Sequence, residues 1–174
     1  MALQASRRLI LGFGAGAASF AFVRRASATG LVAPTGKEIL TVTGKIANTN
    51  KGDAAVFDRP MLEALCMDGF ETATPWYNRP VRFDGVRMQR LMQVVGASGT
   101  SVTAVALNNY TTDIPMTDFE RYGVLLAMKR DGVDMPVSDK GPLFIVYPYD
   151  SEPELKSQLF YSRSAWQVAE LIVK

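Results

Sequence analysis

The chain has 174 residues, a formal net charge of +2, a single cysteine and no histidine. One thiol cannot form an internal disulfide, and without histidine the chain cannot assemble a Cys–His dyad or a serine triad that uses histidine. Composition therefore excludes most common catalytic sites and any Cys/His zinc cluster, while a hydrophobic share of 48% is that of an ordinary globular domain.

Residues 1–28 have the features of an export signal. Arg7-Arg8 precede an apolar run from Leu9 to Val23, and Ala26-Ser27-Ala28 forms a small-residue cleavage pattern. The arginine pair resembles a twin-arginine signal, and the general secretory route is the other possibility. We expect cleavage after Ala28 and a periplasmic location. The alternative is a retained anchor, although the run is shorter than the roughly 20 residues that span a bilayer.

The net positive charge of the chain comes from that segment. It contains four arginines and no acidic residue, so removing it changes the net charge from +2 to −2. The remaining residues, 29–174, are long enough for a single domain with its own core. A domain with this charge has no electrostatic feature that favours nucleic acid as a partner.

The first predicted elements alternate strand and helix. Ile39–Lys45 alternates apolar and polar residues, which indicates a half-buried strand. A helix over Arg59–Met67 follows, with Asp58 as its cap and Gly69 as its stop. Cys66 ends the apolar pattern of this helix, so we expect it to be a small buried hydrophobic residue.

A second strand and helix follow the same order. Phe70–Thr74 and Val81–Phe83 are predicted strands, and Asp84-Gly85 is a turn signal. Apolar residues from Val86 to Val95 recur at helical spacing and stop at Gly96.

The second half of the mature chain is richer in strands. Strands are predicted at Val102–Leu107, Val124–Lys129 and Leu143–Tyr147, with at least one more between Tyr161 and Val173. A short helix near Thr117–Tyr122 has Thr117 as its cap and follows Asp113-Ile114-Pro115, and Asp131-Gly132 predicts a hairpin turn. Many short strands with two or three short helices predict an α+β, mostly-β domain. No Gly-rich turn joins a strand to a helix, which argues against a dinucleotide-binding unit.

Four short motifs follow one another along the chain. They are Thr72-Ala73-Thr74-Pro75-Trp76, Phe83-Asp84-Gly85-Val86, Lys140-Gly141-Pro142-Leu143 and Tyr161-Ser162-Arg163-Ser164-Ala165-Trp166. Their order and spacing resemble the molybdopterin-binding domain of sulfite-oxidase-like enzymes. The resemblance extends roughly from residue 39 to residue 173. It implies a sulfite-oxidase-like fold with several short strands and a pterin site.

The departures from that family concern the metal and the phosphate. In the enzymes the strand before the second motif ends in a cysteine that binds molybdenum, whereas Thr72, Thr74 and Trp76 occupy this stretch here. A threonine hydroxyl is a poor substitute for a soft thiolate, and Cys66 lies too early in the chain to replace it. Phe144 and Ala165 stand where the resemblance predicts cationic residues. The short exported chain is thus similar to periplasmic pterin-binding regulators that lack the molybdenum ligand.

A pterin is a flat bicycle, so it needs an aromatic or apolar plate and a few fixed polar groups. Strand ends and the loops that leave them are where such a site would form. We expect Asp150 to meet the amino edge of the ring, whereas Glu154 is assigned to solvent and Trp166 to core packing. No catalytic or metal-binding residue is assigned. The expected pterin-binding residues are Thr74, Trp76, Asn108, Tyr110, Tyr147, Tyr149, Asp150, Ser162 and Arg163.

Three functions follow from the resemblance and its departures. The first is a periplasmic pterin-binding sensor, without catalytic activity of its own, that docks on the sensor region of a membrane signalling enzyme of cyclic-dinucleotide turnover. The second is a divergent molybdopterin-dependent oxidoreductase, against which the missing thiolate argues. The third is an interaction domain without a ligand. The expected cofactor is a reduced pterin without molybdenum, with molybdopterin as the alternative.

Overall fold

The computed structural model describes residues 30–174, so the predicted export signal lies outside the described residues. The described part is a strand-rich α+β domain with ten strands, four α-helices and two short 3-10 helices. Within residues 30–174 no helix is long and apolar enough to cross a membrane. The predicted class, α+β and mostly β, is confirmed, and there are four α-helices where two or three were predicted.

The strands and helices are numbered in chain order. The strands are β1 (Glu38–Gly44), β2 (Ala55–Asp58), β3 (Met67–Thr72), β4 (Val81–Arg87), β5 (Ser101–Ala106), β6 (Thr111–Pro115), β7 (Leu125–Arg130), β8 (Val133–Asp134), β9 (Phe144–Val146) and β10 (Val168–Val173). The helices are α1 (Arg59–Glu63), α2 (Met88–Val94), α3 (Met116–Tyr122) and α4 (Gln158–Arg163).

The strands form two sheets of five. In the first sheet the order is β2-β1-β10-β5-β6, with β1 and β10 parallel and the other neighbours antiparallel. In the second, β3, β4 and β7 follow one another, and both β8 and β9 pair with β7. Because β10 lies between β1 and β5, the first sheet is complete only when residues 168–173 are in place.

One hydrophobic core joins residues of both sheets. The predicted alternation in β1 is confirmed, since Leu40 and Val42 are buried and their neighbours are more exposed. In β7 the four residues Leu125–Met128 are all buried, as expected for an inner strand that is covered on both faces.

The region around Cys66 differs from the prediction. Asp58 caps α1 as predicted, because its Oδ1 accepts a hydrogen bond of 3.0 Å from the Met61 amide, but the helix already ends at Glu63. Gly69 lies inside β3 and does not stop the helix. Cys66 has a φ of 69° and its side chain is exposed, so the prediction of a buried thiol is wrong. Pairing of β3 with β4 along its whole length overrides the local helical pattern.

The predicted turn at Asp84-Gly85 is also wrong. Both residues lie inside β4, which has a bulge between them where it pairs with β7. Gly85 packs directly against the backbone of Leu126 and Ala127, where a Cβ atom would clash. The glycine therefore serves close strand packing, and α2 begins only at Met88.

Other local predictions have mixed outcomes. Gly96, at a φ of 63°, follows the end of α2 as predicted, and Asp131-Gly132 forms the tight turn between β7 and β8. Asp113-Ile114-Pro115 belongs to β6, where it pairs with β5. Thr117 lies within α3, whose start has no side-chain cap.

Candidate functional site

A cleft of about 370 Å³ lies where three segments of the chain meet. The segments are the turn after β3, the β5–β6 connection, and α4 with the residues that follow it. This volume is in the range of small-molecule sites. The residues that line the cleft are Pro75, Trp76, Asn108, Tyr110, Gln158, Tyr161, Ser162, Ser164, Ala165 and Trp166.

Trp76 is held by a ring of aromatic side chains. Its ring centroid lies 5.4 Å from that of Phe144, 6.2 Å from Tyr149, 6.0 Å from Tyr161 and 5.7 Å from Trp166, all in edge-to-face geometry. Edge-to-face contacts of this kind restrict the orientation of an indole ring. The Trp76 ring is therefore held in a fixed orientation at the cleft before any ligand binds.

One hydrogen bond connects the two sides of the cleft, and two others are local to its lining residues. The Tyr110 hydroxyl donates to the Ser162 carbonyl at 2.7 Å, which links the β5–β6 connection to α4. Asn108 Oδ1 accepts from the Tyr110 amide at 3.1 Å, and Ser162 Oγ donates to the Leu159 carbonyl at 2.8 Å. These bonds use part of the polar capacity of the lining residues and leave the rest available to a ligand.

The remaining polar groups of the cleft are neutral. Within residues 30–174 no lysine, arginine, aspartate or glutamate is among the lining residues. Several lining groups make no hydrogen bond to any described residue, and most of them are donors. They are the indole N–H groups of Trp76 and Trp166, the Asn108 Nδ2, the Gln158 side-chain amide and the Tyr161 hydroxyl.

Four of the nine predicted site residues line this cleft, namely Trp76, Asn108, Tyr110 and Ser162. Trp166, which the sequence assigned to core packing, lines it as well. Pro75, Tyr161, Ser164 and Ala165 lie inside motifs that pointed to the site, but they were not singled out. Gln158 was missed, and it carries no local signal that distinguishes it from a surface residue.

Tyr147 and Tyr149 are not among the residues that line the cleft. Both are almost fully buried. The Tyr147 hydroxyl donates to Asp118 Oδ2 at 2.7 Å, and the Tyr149 hydroxyl pairs with Ser164 Oγ. Burial raises the pKa of both tyrosines, so both stay neutral. These two predicted site residues therefore support residues around the cleft and do not line the cleft itself.

Asp150 fastens the end of β3 to its own loop. Its Oδ2 accepts hydrogen bonds from the Ala73 amide at 2.6 Å and from Thr72 Oγ1 at 3.3 Å, and Lys156 Nζ lies 2.7 Å from Oδ1. The Ala73 amide, followed by Lys156, lowers the pKa of Asp150. Both carboxylate oxygens thus have protein partners, and Asp150 lies outside the cleft. Thr74 Oγ1 accepts from the Trp76 amide at 3.3 Å, so Thr74 holds the same turn.

Arg163 and Glu154 have partners within the protein. Arg163 Nη1 donates to Asp118 Oδ2 at 2.8 Å and lies outside the cleft. Glu154 was assigned to solvent, and its exposed carboxylate accepts hydrogen bonds of 2.7 Å from Arg121 and from the Tyr122 hydroxyl. The bond from Tyr122 is the main reason why the pKa of Glu154 is lowered.

The described residues do not fit a molybdenum cofactor that carries a phosphate group. Cys66 precedes β3, whereas the cleft lies beyond the other end of this strand, about 20 Å away at about 3.3 Å per residue. Among residues 30–174 no group of three His, Cys, Asp or Glu side chains could hold a metal ion. A phosphate would also meet no cationic side chain among the described residues that line the cleft.

Neither a family model nor a curated protein matches this chain. The likeness to the sulfite-oxidase family therefore depends on the order and spacing of the four motifs.

Proposed function

We propose that this chain binds a reduced pterin without a phosphate group in the aromatic cleft, on a sulfite-oxidase-like fold. The observation that carries the proposal is the combination of flat rings and neutral polar groups in one preformed cleft. A flat heterocycle can stack on the rings, while the free donors meet its carbonyl and ring nitrogen acceptors. The Tyr161 hydroxyl and the amide oxygen of Gln158 can accept from its amino edge.

The neutral lining sets the class of pterin. Transfer of a charged phosphate into a cleft without cationic partners costs solvation that no contact restores. The nearby cations have acidic partners, since Arg163 pairs with Asp118 and Lys156 pairs with Asp150. Lys140 Nζ, which lies 5.8 Å from the centroid of the Trp166 ring, is 3.7 Å from Asp139 Oδ1. A pterin with a hydroxylated, uncharged side chain avoids this penalty.

The biological role in this proposal is that of a periplasmic sensor. The ligand-loaded protein docks on the sensor region of a membrane signalling enzyme that controls cyclic-dinucleotide turnover. The export pattern of residues 1–28 and the similarity to periplasmic pterin-binding regulators support this part. N-terminal sequencing of the native protein tests the location. A mature chain that begins at Thr29 is expected, and an intact Met1 in the cytoplasm would overturn it.

Ligand binding can be followed by the fluorescence of the protein itself. The chain has only two tryptophans, Trp76 and Trp166, and both line the cleft. Anaerobic titration with dihydroneopterin should quench this fluorescence, and calorimetry should give the affinity. Dihydroneopterin triphosphate is the matched ligand, because the two compounds differ only in the phosphate groups. We expect at least roughly 10-fold weaker binding of the triphosphate, in line with the cost of an uncompensated charge.

The outcomes separate the three functions. No binding of either compound by the folded parent would end the pterin proposal and leave the ligand-free interaction domain. Equal affinity for both would overturn the argument from the neutral lining. The oxidoreductase is tested by elemental analysis of protein isolated from its own host. Molybdenum far below one atom per chain is expected, and a near-stoichiometric content would restore the enzyme.

A further inference from the structure

We propose that Asp118 and Arg163 are positioning residues, which set the shape of the cleft without contacting its ligand. The inference deepens the proposed function and rests on it for the part that concerns ligand affinity. It concerns the cleft wall, defined as residues 158–166, which supplies six of the ten lining residues.

The cleft wall needs support from the rest of the protein. Its helix, α4, has only six residues, and the side chain of the residue before it, Ser157, makes no capping hydrogen bond. Isolated helices need about 12–15 residues to be even marginally stable in water. The conformation of the wall must therefore come from tertiary contacts, including those on the side that faces away from the cleft.

Those contacts converge on one buried carboxylate. Asp118 in α3 is only 6% exposed, and its Oδ2 accepts hydrogen bonds from Arg163 Nη1 at 2.8 Å and from the Tyr147 hydroxyl at 2.7 Å. Phe160 packs beside this pair. Its ring centroid lies 5.3 Å from the ring centroid of Tyr122 and 5.2 Å from that of Tyr147. The Arg163 guanidinium also lies over the Phe160 ring, 5.5 Å from its centroid. The wall is thus fastened from behind by one charge pair and one buried ring.

The pair is adjacent in sequence to residues that form the cleft. Ser162, whose carbonyl accepts from Tyr110, and Ser164, whose hydroxyl pairs with Tyr149, flank Arg163 on either side. Loss of one partner of a buried ion pair leaves the other charge without compensation, and the local structure relaxes to hydrate it. A shift of Arg163 moves both serines, and with them the contact to Tyr110 across the cleft and the contact to the buried Tyr149.

The first arm of the test needs no ligand. Tryptophan emission and its quenching by acrylamide are measured in the full chain for the parent, Arg163→Met and Asp118→Asn. The control is Asp58→Asn, which alters another buried aspartate. Its carboxylate accepts hydrogen bonds from the amides of Thr35, Gly36 and Met61, none of which lines the cleft. We expect altered emission and quenching in the first two variants and parental behaviour in the control.

The second arm measures the affinity for dihydroneopterin at a temperature where all variants are folded. Mutation of residues that support metal ligands costs about 10- to 100-fold in metal affinity, and for this cleft we take the lower figure of about 10-fold. We expect such a loss in Arg163→Met and Asp118→Asn, partial recovery in Arg163→Lys, which keeps the charge, and no change in Asp58→Asn. A residue with a merely structural role would lower the unfolding temperature without these selective effects.

The outcomes are distinct. If the parent binds no pterin, the proposed function fails, while the fluorescence arm still decides the positioning role. Folded Arg163→Met and Asp118→Asn proteins with parental fluorescence and affinity would overturn the inference. If Arg163→Met does not fold, Asp118→Asn decides it, since a folded Asp118→Asn protein with parental fluorescence and affinity would contradict the need for the charge pair. An equal loss of affinity in Asp58→Asn would also overturn it, because the effect would then follow stability alone.

Discussion

Trp76 and Tyr77 are neighbours in sequence, but they belong to regions of opposite character. Trp76 lies among aromatic rings at the cleft and uses only its backbone amide in the described hydrogen bonds. The Tyr77 hydroxyl donates to Asp139 Oδ1 at 3.0 Å, and Arg130 also pairs with this carboxylate. The charged groups of Arg130 and Lys140 each lie 4.7 Å from the centroid of the Tyr77 ring.

The difference concerns unused binding capacity. In the cluster of Tyr77, Arg130, Asp139 and Lys140, hydrogen bonds, ion pairs and cation–π contacts already engage the polar groups, so the cluster stabilises the fold. At the cleft the rings are accessible, and neutral donors have no partner among the described residues. Of these two regions, only the cleft therefore has accessible rings and free hydrogen-bond donors that a ligand can bind. Trp166 borders both regions, since Lys140 Nζ lies 5.8 Å from its ring.

The largest expected effect comes from Trp76→Ala. Loss of the stacking surface should weaken dihydroneopterin binding by about 1–3 kcal/mol, or roughly 5- to 150-fold. Calorimetric titration under anaerobic conditions measures it. Because Trp76 contacts four other rings, circular dichroism and thermal unfolding must first show a folded variant. A folded variant with parental affinity would remove Trp76 from the binding site.

Asp150→Asn should change stability and leave the ligand affinity unchanged. In the parent, the charged form of Asp150 is stabilised by the Ala73 amide and by Lys156. These contacts are partly exposed, so they stabilise the fold by about 1 kcal/mol. Because the pKa of Asp150 is lowered by folding, this stabilisation is complete above the ordinary aspartate pKa of 3.8 and is lost as the pH falls through the lower folded value.

The measurement is chemical unfolding of the parent and of Asp150→Asn as a function of pH. The two stabilities should differ at neutral pH and converge as the pH falls below 3.8 and through the lower folded pKa of Asp150. A loss of dihydroneopterin affinity as large as that of Trp76→Ala would instead return Asp150 to the ligand site.

Tyr77→Phe tests whether the charged cluster contributes to stability alone. It removes the hydrogen bond to Asp139 and keeps the ring, so stability should fall by about 0.5–1.5 kcal/mol with no change in affinity. Denaturant unfolding and titration with dihydroneopterin measure the two quantities in the same protein. A selective loss of affinity would show that the charged cluster participates in binding.

The smallest effect is expected for Glu154→Ala. Its contacts with Arg121 and Tyr122 are exposed, and exposed pairs of this kind contribute little to stability. Thermal unfolding should change little, and the affinity should be parental. A large loss of stability would mean that this exposed pair holds the loop before α4 more firmly than its geometry indicates.

Local patterns in the sequence were sufficient for much of the fold. The alternation in β1, the β-branched run of β5, the cap at Asp58 and the turn at Asp131-Gly132 depend on neighbours in the chain, and the structure contains all four. The strand-rich α+β class follows from such patterns. Cys66 and Gly85 were predicted incorrectly because long-range pairing of β3, β4 and β7 decides their conformations.

The site was only partly predictable for the same reason. Its aromatic content and its position after strand ends are visible in the sequence, and the structure brings Trp76 and Tyr110 together at one cleft. The partners of Asp150 and Arg163 lie 77 and 45 residues away in the chain, at Ala73 and Asp118. Residue type alone cannot tell a carboxylate or guanidinium that awaits a ligand from one that is already paired. Only the tertiary structure, which brings distant donors and acceptors within hydrogen-bonding distance, separates the cleft from its support.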